Sequence, residues 1–423
     1  MKLWGCKVFT GTAGETIEFG EVEFFEGKIT RVSALPKDSP IPIFDSQTID
    51  ARGKFAMPGM IDCECHLVQD AGPSAFTRIW NGTLTESMFN TMRSAERYLR
   101  RGFTTVRDCG DKQYETVFLR DKIQEGKAPG PRIICCGMFI RVTKGHATGW
   151  EVDGPYSARQ AARENMSHNI DWVKIIVESS SLIKSQYEAG ALQMLPDEIE
   201  AICTVAHNYG KEVAAHIHTE RGIISALTHG VKTIEHCTAL TPTVVDLLEE
   251  KKAYGITTFT PYARMAVDTS GITSPGMHAY CDRVMETKIR YFGDAVKKDA
   301  NLAFGTDAGA PLTYHGDSGY ELACIMKYGG IDAERALEFC TTKAAKALAI
   351  DDTLGKLQPG YIADIKVING DPTQDIYVCD DVSFVFKEGE LVCKDNQVLD
   401  VNTKELWDRR ILMDVTKPIP ERA

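Results

Sequence analysis

No CxxC pair occurs among the 13 cysteines of this chain, so a structural zinc ribbon is not expected. No apolar run approaches the roughly 20 residues that cross a bilayer, which argues against a membrane partner. No basic cluster offsets the net charge of −11, so nothing is available to neutralise phosphates and nucleic acid is not an expected partner. The opening segment MKLWGCKVFTGTAGE has neither a continuous apolar core nor a small-residue cleavage site, and no secretory signal is read in it. Cys63/Cys65 and Cys135/Cys136 are the tight cysteine pairs and the rest are scattered. Buried thiols in a reducing cytoplasm are therefore expected, not a disulfide framework.

What is present is an ordinary globular composition, 43% hydrophobic and 25% charged, over 423 residues. That length suits a large barrel with a smaller module. Residues 1–56 alternate apolar and polar positions with glycine at the turns, and the pattern returns in DIKVING and SFVFKEGELVCKDNQV near the other end. The two ends, 1–56 and 357–423, are expected to form one small β-sandwich.

The middle, 57–356, alternates strands and helices. Strands are predicted at 57–66, 104–109, 132–137, 172–178, 212–217, 232–237, 256–260 and 302–306. Helices are predicted at 84–101, 113–126, 157–169, 196–209, 219–229, 242–254, 277–299 and 331–349. Ser157 and the Pro196-Asp197-Glu198 turn read as helix starts. Eight strand–helix repeats imply a closed parallel barrel, the α/β fold class of the (β/α)8 TIM barrel. An open doubly wound sheet would want a glycine-rich phosphate loop after the first strand, and CECHLVQDAG offers none.

Five of these segments close on side chains able to bind metal. They are MPGMIDCECH (57–66), WVKIIVE (172–178), EVAAHIH (212–218), VKTIEHC (231–237) and LAFGTDAG (302–309), contributing Glu64, His66, Lys174, His216, His236 and Asp307. Alternation puts Glu64 and His66 on one side of their strand and turns Cys63 and Cys65 towards the helices. Imidazole with carboxylate suits zinc or another first-row divalent ion. Lys174 reads either as a lysine snorkelling to the rim or as an amine whose pKa is lowered by burial and nearby cations, free to take up carbon dioxide.

Together with GFTTVRDCG, GPRI, KGH, VAAHIHT, TKAAKALAI and LGKLQPGYIADIKVINGDP, these segments resemble the amidohydrolase superfamily. Within it they are similar to the imidazolonepropionase-like and Xaa-Pro/Xaa-Arg dipeptidase branch. The resemblance implies a binuclear metal centre, with two zinc ions, in a barrel carrying a sandwich built from both termini. It places His66 at the second histidine of the HxH motif and Lys174 at a carboxylated lysine. His216 and His236 fall at the histidines of strands five and six, and Asp307 at the aspartate of strand eight, where it serves as metal ligand and catalytic acid–base. Lys174, as the carbamate, belongs to the catalytic set. Glu64 departs from the pattern by replacing the first histidine. It is expected either to ligate, shifting preference towards Mn or Fe, or to be a bystander or acid–base group at a mononuclear site.

His146, His218 and Arg221 are candidates for substrate binding, although an arginine at a helix start is often merely exposed. Tyr262, Arg264 and His315 read as surface residues of loops, and His168, His207, His229 and His278 as helix or surface residues. The function expected is metal-dependent hydrolysis of the C–N bond of a small amide or dipeptide by a homo-oligomer, as a dipeptidase or N-acyl amino acid hydrolase. A cyclic amidohydrolase is the alternative enzyme, and a non-catalytic binding protein the alternative class.

Overall fold

The computed structural model describes residues 1–72, 75, 81–178 and 191–399. The predicted sandwich segment beyond 399 lies outside the described residues. Eight parallel strands build the barrel: Met60–Cys65, Phe103–Asp108, Arg132–Cys135, Trp172–Ile176, Glu212–Ile217, Thr233–His236, Tyr254–Ile256 and Leu302–Ala303. They are called strands one to eight below. Successive strands pair in parallel along two runs, one to three and four to eight. Backbone bonds close the two seams. The Asp171 amide donates to the Cys135 carbonyl (2.8 Å), and the Cys63 amide to the Phe304 carbonyl (3.1 Å). All eight C-termini consequently open on one face, where barrel enzymes carry their chemistry.

Strands near both ends of the described residues meet in one nine-stranded sheet, which includes strands from Lys2–Val8 through to Gln397–Val398. It curls so that the Ile29 amide donates to the Tyr361 carbonyl and the Ala363 amide to the Gly27 carbonyl, both at 2.8 Å. Leu3, Val8, Val22, Phe24, Ile365, Val367 and Phe386 fill the space between its ends.

The predicted strand 57–66 is divided. Lys54–Pro58 pairs with Ile365–Asn369 in the end sheet, and Gly59 turns the chain into strand one. A Cβ on Gly59 would lie 2.2 Å from Thr104 Oγ1, so only glycine fits the passage.

Three further readings are corrected. Strand seven ends at Ile256, four residues early, because Thr260–Ala266 is a helix with Pro261 in its first turn. The predicted helix 331–349 is two short ones, Ala333–Phe339 and Thr342–Ala347, preceded by an unforeseen helix Gly319–Gly329. Helix Pro155–Ser167 starts at Pro155, and Ser157 turns its hydroxyl back to the carbonyls of Asp153 and Gly154. Two short strands, Ile140–Val142 and Trp150–Val152, follow strand three and carry the His146 loop between them. All 13 cysteines are buried and unbridged. No helix among the described residues is long and apolar enough to cross a membrane.

Candidate metal centre

Strand one delivers its side chains through an irregular backbone, with register shifts against strand two at Met60/Ile61 and Asp62/Cys65. Glu64 enters the barrel and meets Lys174, but the shift between Asp62 and Cys65 breaks the alternation. The Cys63 thiol, expected towards the helices, packs inside with Trp172, Ala214 and Ile256, 3.8 Å from the Ala344 carbonyl, while Asp62 turns to Tyr98 of helix Leu84–Arg100. Asp62 ties strand one to strand eight, accepting from the amides of Glu64 (3.1 Å) and Thr306 (3.0 Å) and from the Tyr98 hydroxyl (2.7 Å). Burial pushes its carboxyl up to about 7 against those donors. The Asp307 amide donates to the Glu64 carbonyl (2.8 Å), so the ends of strands one and eight form one rigid edge.

On that edge Glu64, His66 and Asp307 bring one ligand atom each within 4.8 Å of one another. His66 Nε2 stands 3.3 Å from Asp307 Oδ1. Across the mouth, His216, His218 and His236 form a second such group, with His216 Nδ1 2.7 Å from His236 Nε2. The groups adjoin, since His236 Nε2 is 3.7 Å from Glu64 Oε1. Lys174 joins them from strand four, its Nζ donating to Glu64 Oε1 at 2.9 Å and lying 3.7 Å from Glu235 Oε2. All six proposed ligands are thus drawn together from five strand ends.

The electrostatics suit a cation. Burial lowers His66 to about 4 and holds His216 and His236 well below the usual imidazole value, so all three are neutral, the ligating form. The His66–Asp307 contact is therefore not an ion pair. Burial raises Asp307 to about 7, Lys174 opposing, and pushes Glu64 up as well. Glu64 Oε2, His66 Nδ1 and His216 Nε2 are buried without a hydrogen-bond partner. Orphaned atoms of this kind call for an ion or solvent to complete them. The residues thus fit a divalent metal ion.

Lys174 departs from expectation. Burial pulls its ammonium down, but the Glu64 and Glu235 carboxylates outweigh burial and hold it above the ordinary lysine value.

The backbone at these positions is unusual. His236 (φ +67°), Cys237 (+36°), Thr258 (+82°) and Asp307 (+55°) are left-handed without being glycine. Such residues cost about 1–3 kcal/mol each and cluster at functional sites.

Around this centre, His146 sets its ring 5.0 Å from that of His216. His218 stacks on His236 at 4.8 Å, with Nδ1 2.8 Å from Thr238 Oγ1 and Nε2 3.2 Å from the Tyr262 hydroxyl. Tyr262 and His315, expected at the surface, are buried, and His315 Nε2 approaches the His66 carbonyl at 3.0 Å. Arg264 is half-buried, paired with Asp317 and donating to the Leu312 carbonyl. Arg221 is not drawn into this group; it sits exposed on the first turn of helix Glu220–Thr228. His168 stacks on Tyr114, His207 lies 3.7 Å from Glu212, His229 meets the Ser225 carbonyl, and His278 is half-buried near the start of helix Pro275–Lys297.

Several residues escaped the sequence reading. Arg107 of strand two is fully buried inside the barrel, donating to Thr233 Oγ1 (3.0 Å) and Glu235 Oε1 (2.6 Å). Like Lys174, it is a charge in an apolar strand, and that was its signal. Glu235 was hidden by its neighbour: Thr233 and Glu235 face the interior, so alternation turns His236 away, and only its left-handed backbone returns it to the mouth. Lys288 interrupts the apolar stripe Cys281, Val284, Met285, Phe292 of its helix, a visible anomaly at helical spacing. Burial lowers its ammonium to about 8. Glu321 and Glu178, which hold the amides following strands seven and five, carried no sequence signal.

Comparison with known proteins agrees with this architecture. Ochratoxinase from Aspergillus niger is 24% identical over 399 residues, covering 86% of this chain and 81% of that protein. A Xaa-Pro dipeptidase solved with methionine in its active site is 28% identical with a TM-score of 0.84, covering 92% of this chain and 98% of the other. A prolidase complexed with N-methylphosphonate-L-proline gives 27% and 0.82, over 93% and 99%. Residues 55–392 match the amidohydrolase family. With its barrel, its end sheet and its converging ligands, this chain belongs to the amidohydrolase family, hydrolases that act on carbon–nitrogen bonds.

Proposed function

We propose that the protein hydrolyses the amide bond of a dipeptide or an N-acyl amino acid at a two-metal centre held by Glu64, His66, Lys174, His216, His236 and Asp307. The observation that carries this reading is the convergence of two ligand groups, each within 4.8 Å, about the Lys174 ammonium. The similarity to a Xaa-Pro dipeptidase and to ochratoxinase supports the substrate class.

The bound divalent metal, zinc or, given the extra negative charge of Glu64, manganese or iron, supplies Lewis acidity to the scissile carbonyl and makes water acidic. The residues do the rest. Asp307 accepts the proton of the attacking water and delivers it to the leaving nitrogen. His66 stands beside that carboxylate and orients it. Lys174 Nζ would lose its ammonium proton and, on adding carbon dioxide, a second proton, to give a carbamate whose oxygens could help to hold the metal. His146 and His218 line the mouth where the substrate enters, and Tyr262 fixes the His218 ring.

The test pairs metal analysis with hydrolysis. Purified protein should hold close to two divalent ions per chain and release two products from Xaa-Pro dipeptides or from N-acyl amino acids. Metal-loaded protein that cleaves neither, yet opens cyclic amides, would replace this reading with a cyclic amidohydrolase. Protein that binds metal and hydrolyses no amide would reduce it to a binding function.

A further inference from the structure

We propose that Lys288 is a positioning residue of the metal centre, fixing the pose of His236 from behind through the turns that follow strands six and seven. The role rests on the reading of His236 as a metal ligand.

Lys288 comes from the long helix Pro275–Lys297, outside the barrel wall, and its side chain is buried. Its Nζ donates to the carbonyl of His236 at 2.5 Å and to that of Thr257 at 3.3 Å. It also lies 4.9 Å from the centre of the Phe259 ring. Both carbonyls belong to the strained points of the mouth, at the left-handed His236 and immediately before the left-handed Thr258. A β-branched residue rarely takes such a conformation unless its neighbours impose it.

The constraint is passed on to the imidazole. Thr258 Oγ1 sits 2.9 Å from His236 Nδ1, which leaves Nε2 directed at His216 and Glu64. The turn carrying Thr258 is held from its other side by Glu321, which accepts from the amides of Thr258, Phe259 and Thr260 at 2.9, 2.9 and 2.7 Å. A buried cation pulls on the carbonyls and a buried anion on the amides of the same short segment. Neither charged group is directed at the metal position. Together they set where the ligand ring points, as groups behind a metal-bound histidine commonly do.

Cobalt(II) is the probe, because its visible d–d bands report ligand geometry without any turnover. Metal-free wild-type protein, Lys288→Met and Lys288→Gln are titrated with cobalt alone and followed by absorbance, with circular dichroism confirming the fold. Lys288→Met should fold, bind cobalt at least about ten-fold more weakly and show a shifted, weaker d–d spectrum. Lys288→Gln, which keeps one donor, should fall between. Should the methionine variant fail to fold, the glutamine variant decides. A folded variant with wild-type cobalt affinity and spectrum would overturn the role of Lys288 while leaving the metal centre intact. Failure of the wild-type chain to bind cobalt would overturn the metal reading and this role together.

Discussion

The Glu64–His66–Asp307 group and the His216–His218–His236 group share one mouth but are assembled in opposite ways. The first is built by the backbone: Glu64 and Asp307 are locked by an amide–carbonyl bond between strands one and eight, and His66 by its amide on the Ala308 carbonyl (2.8 Å). The second is built by side chains, with Thr238 and Thr258 hydroxyls each engaging an imidazole Nδ1. The first contains two carboxyls that burial pushes up; the second contains only neutral rings. On the proposed mechanism, charge and proton transfer fall to the strand one–eight edge, and neutral ligation to strands five and six. Substitution of Asp307 should act on chemistry, and substitution of His216 or His236 on metal retention.

The sharpest way to break that division is Asp307→Asn. The amide keeps size and backbone bonds but cannot take a proton, so kcat should fall by about 10²–10⁴-fold, the usual worth of a general acid–base, with metal content nearly unchanged. Steady-state kinetics beside metal analysis checks it; an active Asn variant would remove Asp307 from its role.

Glu64→His tests whether the charged edge sets the choice of metal. Replacing a carboxylate by a neutral ring removes a negative charge beside Lys174 and should shift the protein towards zinc, with metal affinity altered about ten-fold or more. Two tightly held zinc ions in the unaltered protein, with activity indifferent to Glu64→His, would show that the carboxylate does not tune the site.

A smaller effect concerns the buried acids that tie the loops together. Asp108 accepts from the amides of Leu67 (2.8 Å) and Gly110 (3.1 Å), and burial raises it to about 8, with Asp62 at about 7. A raised carboxyl holds its proton in the folded chain and releases it on unfolding. Its stabilisation is full below the ordinary carboxylate range and is lost as pH rises through the folded value. The buried histidines act in the other direction, but only below their unperturbed value of 6.5. Between pH 6.5 and about 8 the carboxyls alone govern, so metal-free protein should lose stability across that window. Asp108→Asn should flatten the dependence. Thermal melts at both ends of the window decide, and an unchanged slope in the variant would mean that Asp108 is ionised in the folded state.

The same contrast explains what could be read from the chain. The eight strands were legible as short apolar runs, and the six ligand candidates because five of those runs close on side chains able to bind metal, as in VAAHIH and AFGTD. The helix at 260–266 was not, because ITTFT reads as strand by β-branching, and the helical turn is imposed by Glu321, 61 positions from Thr260. Glu235 was missed because period-two alternation assumes an extended backbone, and His236 breaks it with a positive φ. At Lys174, composition along a strand does not reveal that Glu235 of strand six lies beside it.

The smallest expected effect is at Arg221. A cation near the mouth would clamp the carboxylate of a dipeptide or N-acyl amino acid, and a bidentate clamp of this kind would raise KM markedly when removed. Arg221 nevertheless lies exposed on the first turn of its helix, whereas the neighbouring His218 is buried against His236 and Tyr262. An exposed ion pair contributes about 0–1 kcal/mol, so Arg221→Ala should change KM by no more than about two- to five-fold and leave kcat alone. His218→Ala, by contrast, should raise KM by about ten-fold, because it removes a buried ring whose two nitrogens are already fixed by Thr238 and Tyr262. If Arg221→Ala gave the larger increase of the two, the helix start would have to swing inward when substrate binds, and carboxylate recognition would pass from the side-chain-built edge of the mouth to the loop beside it.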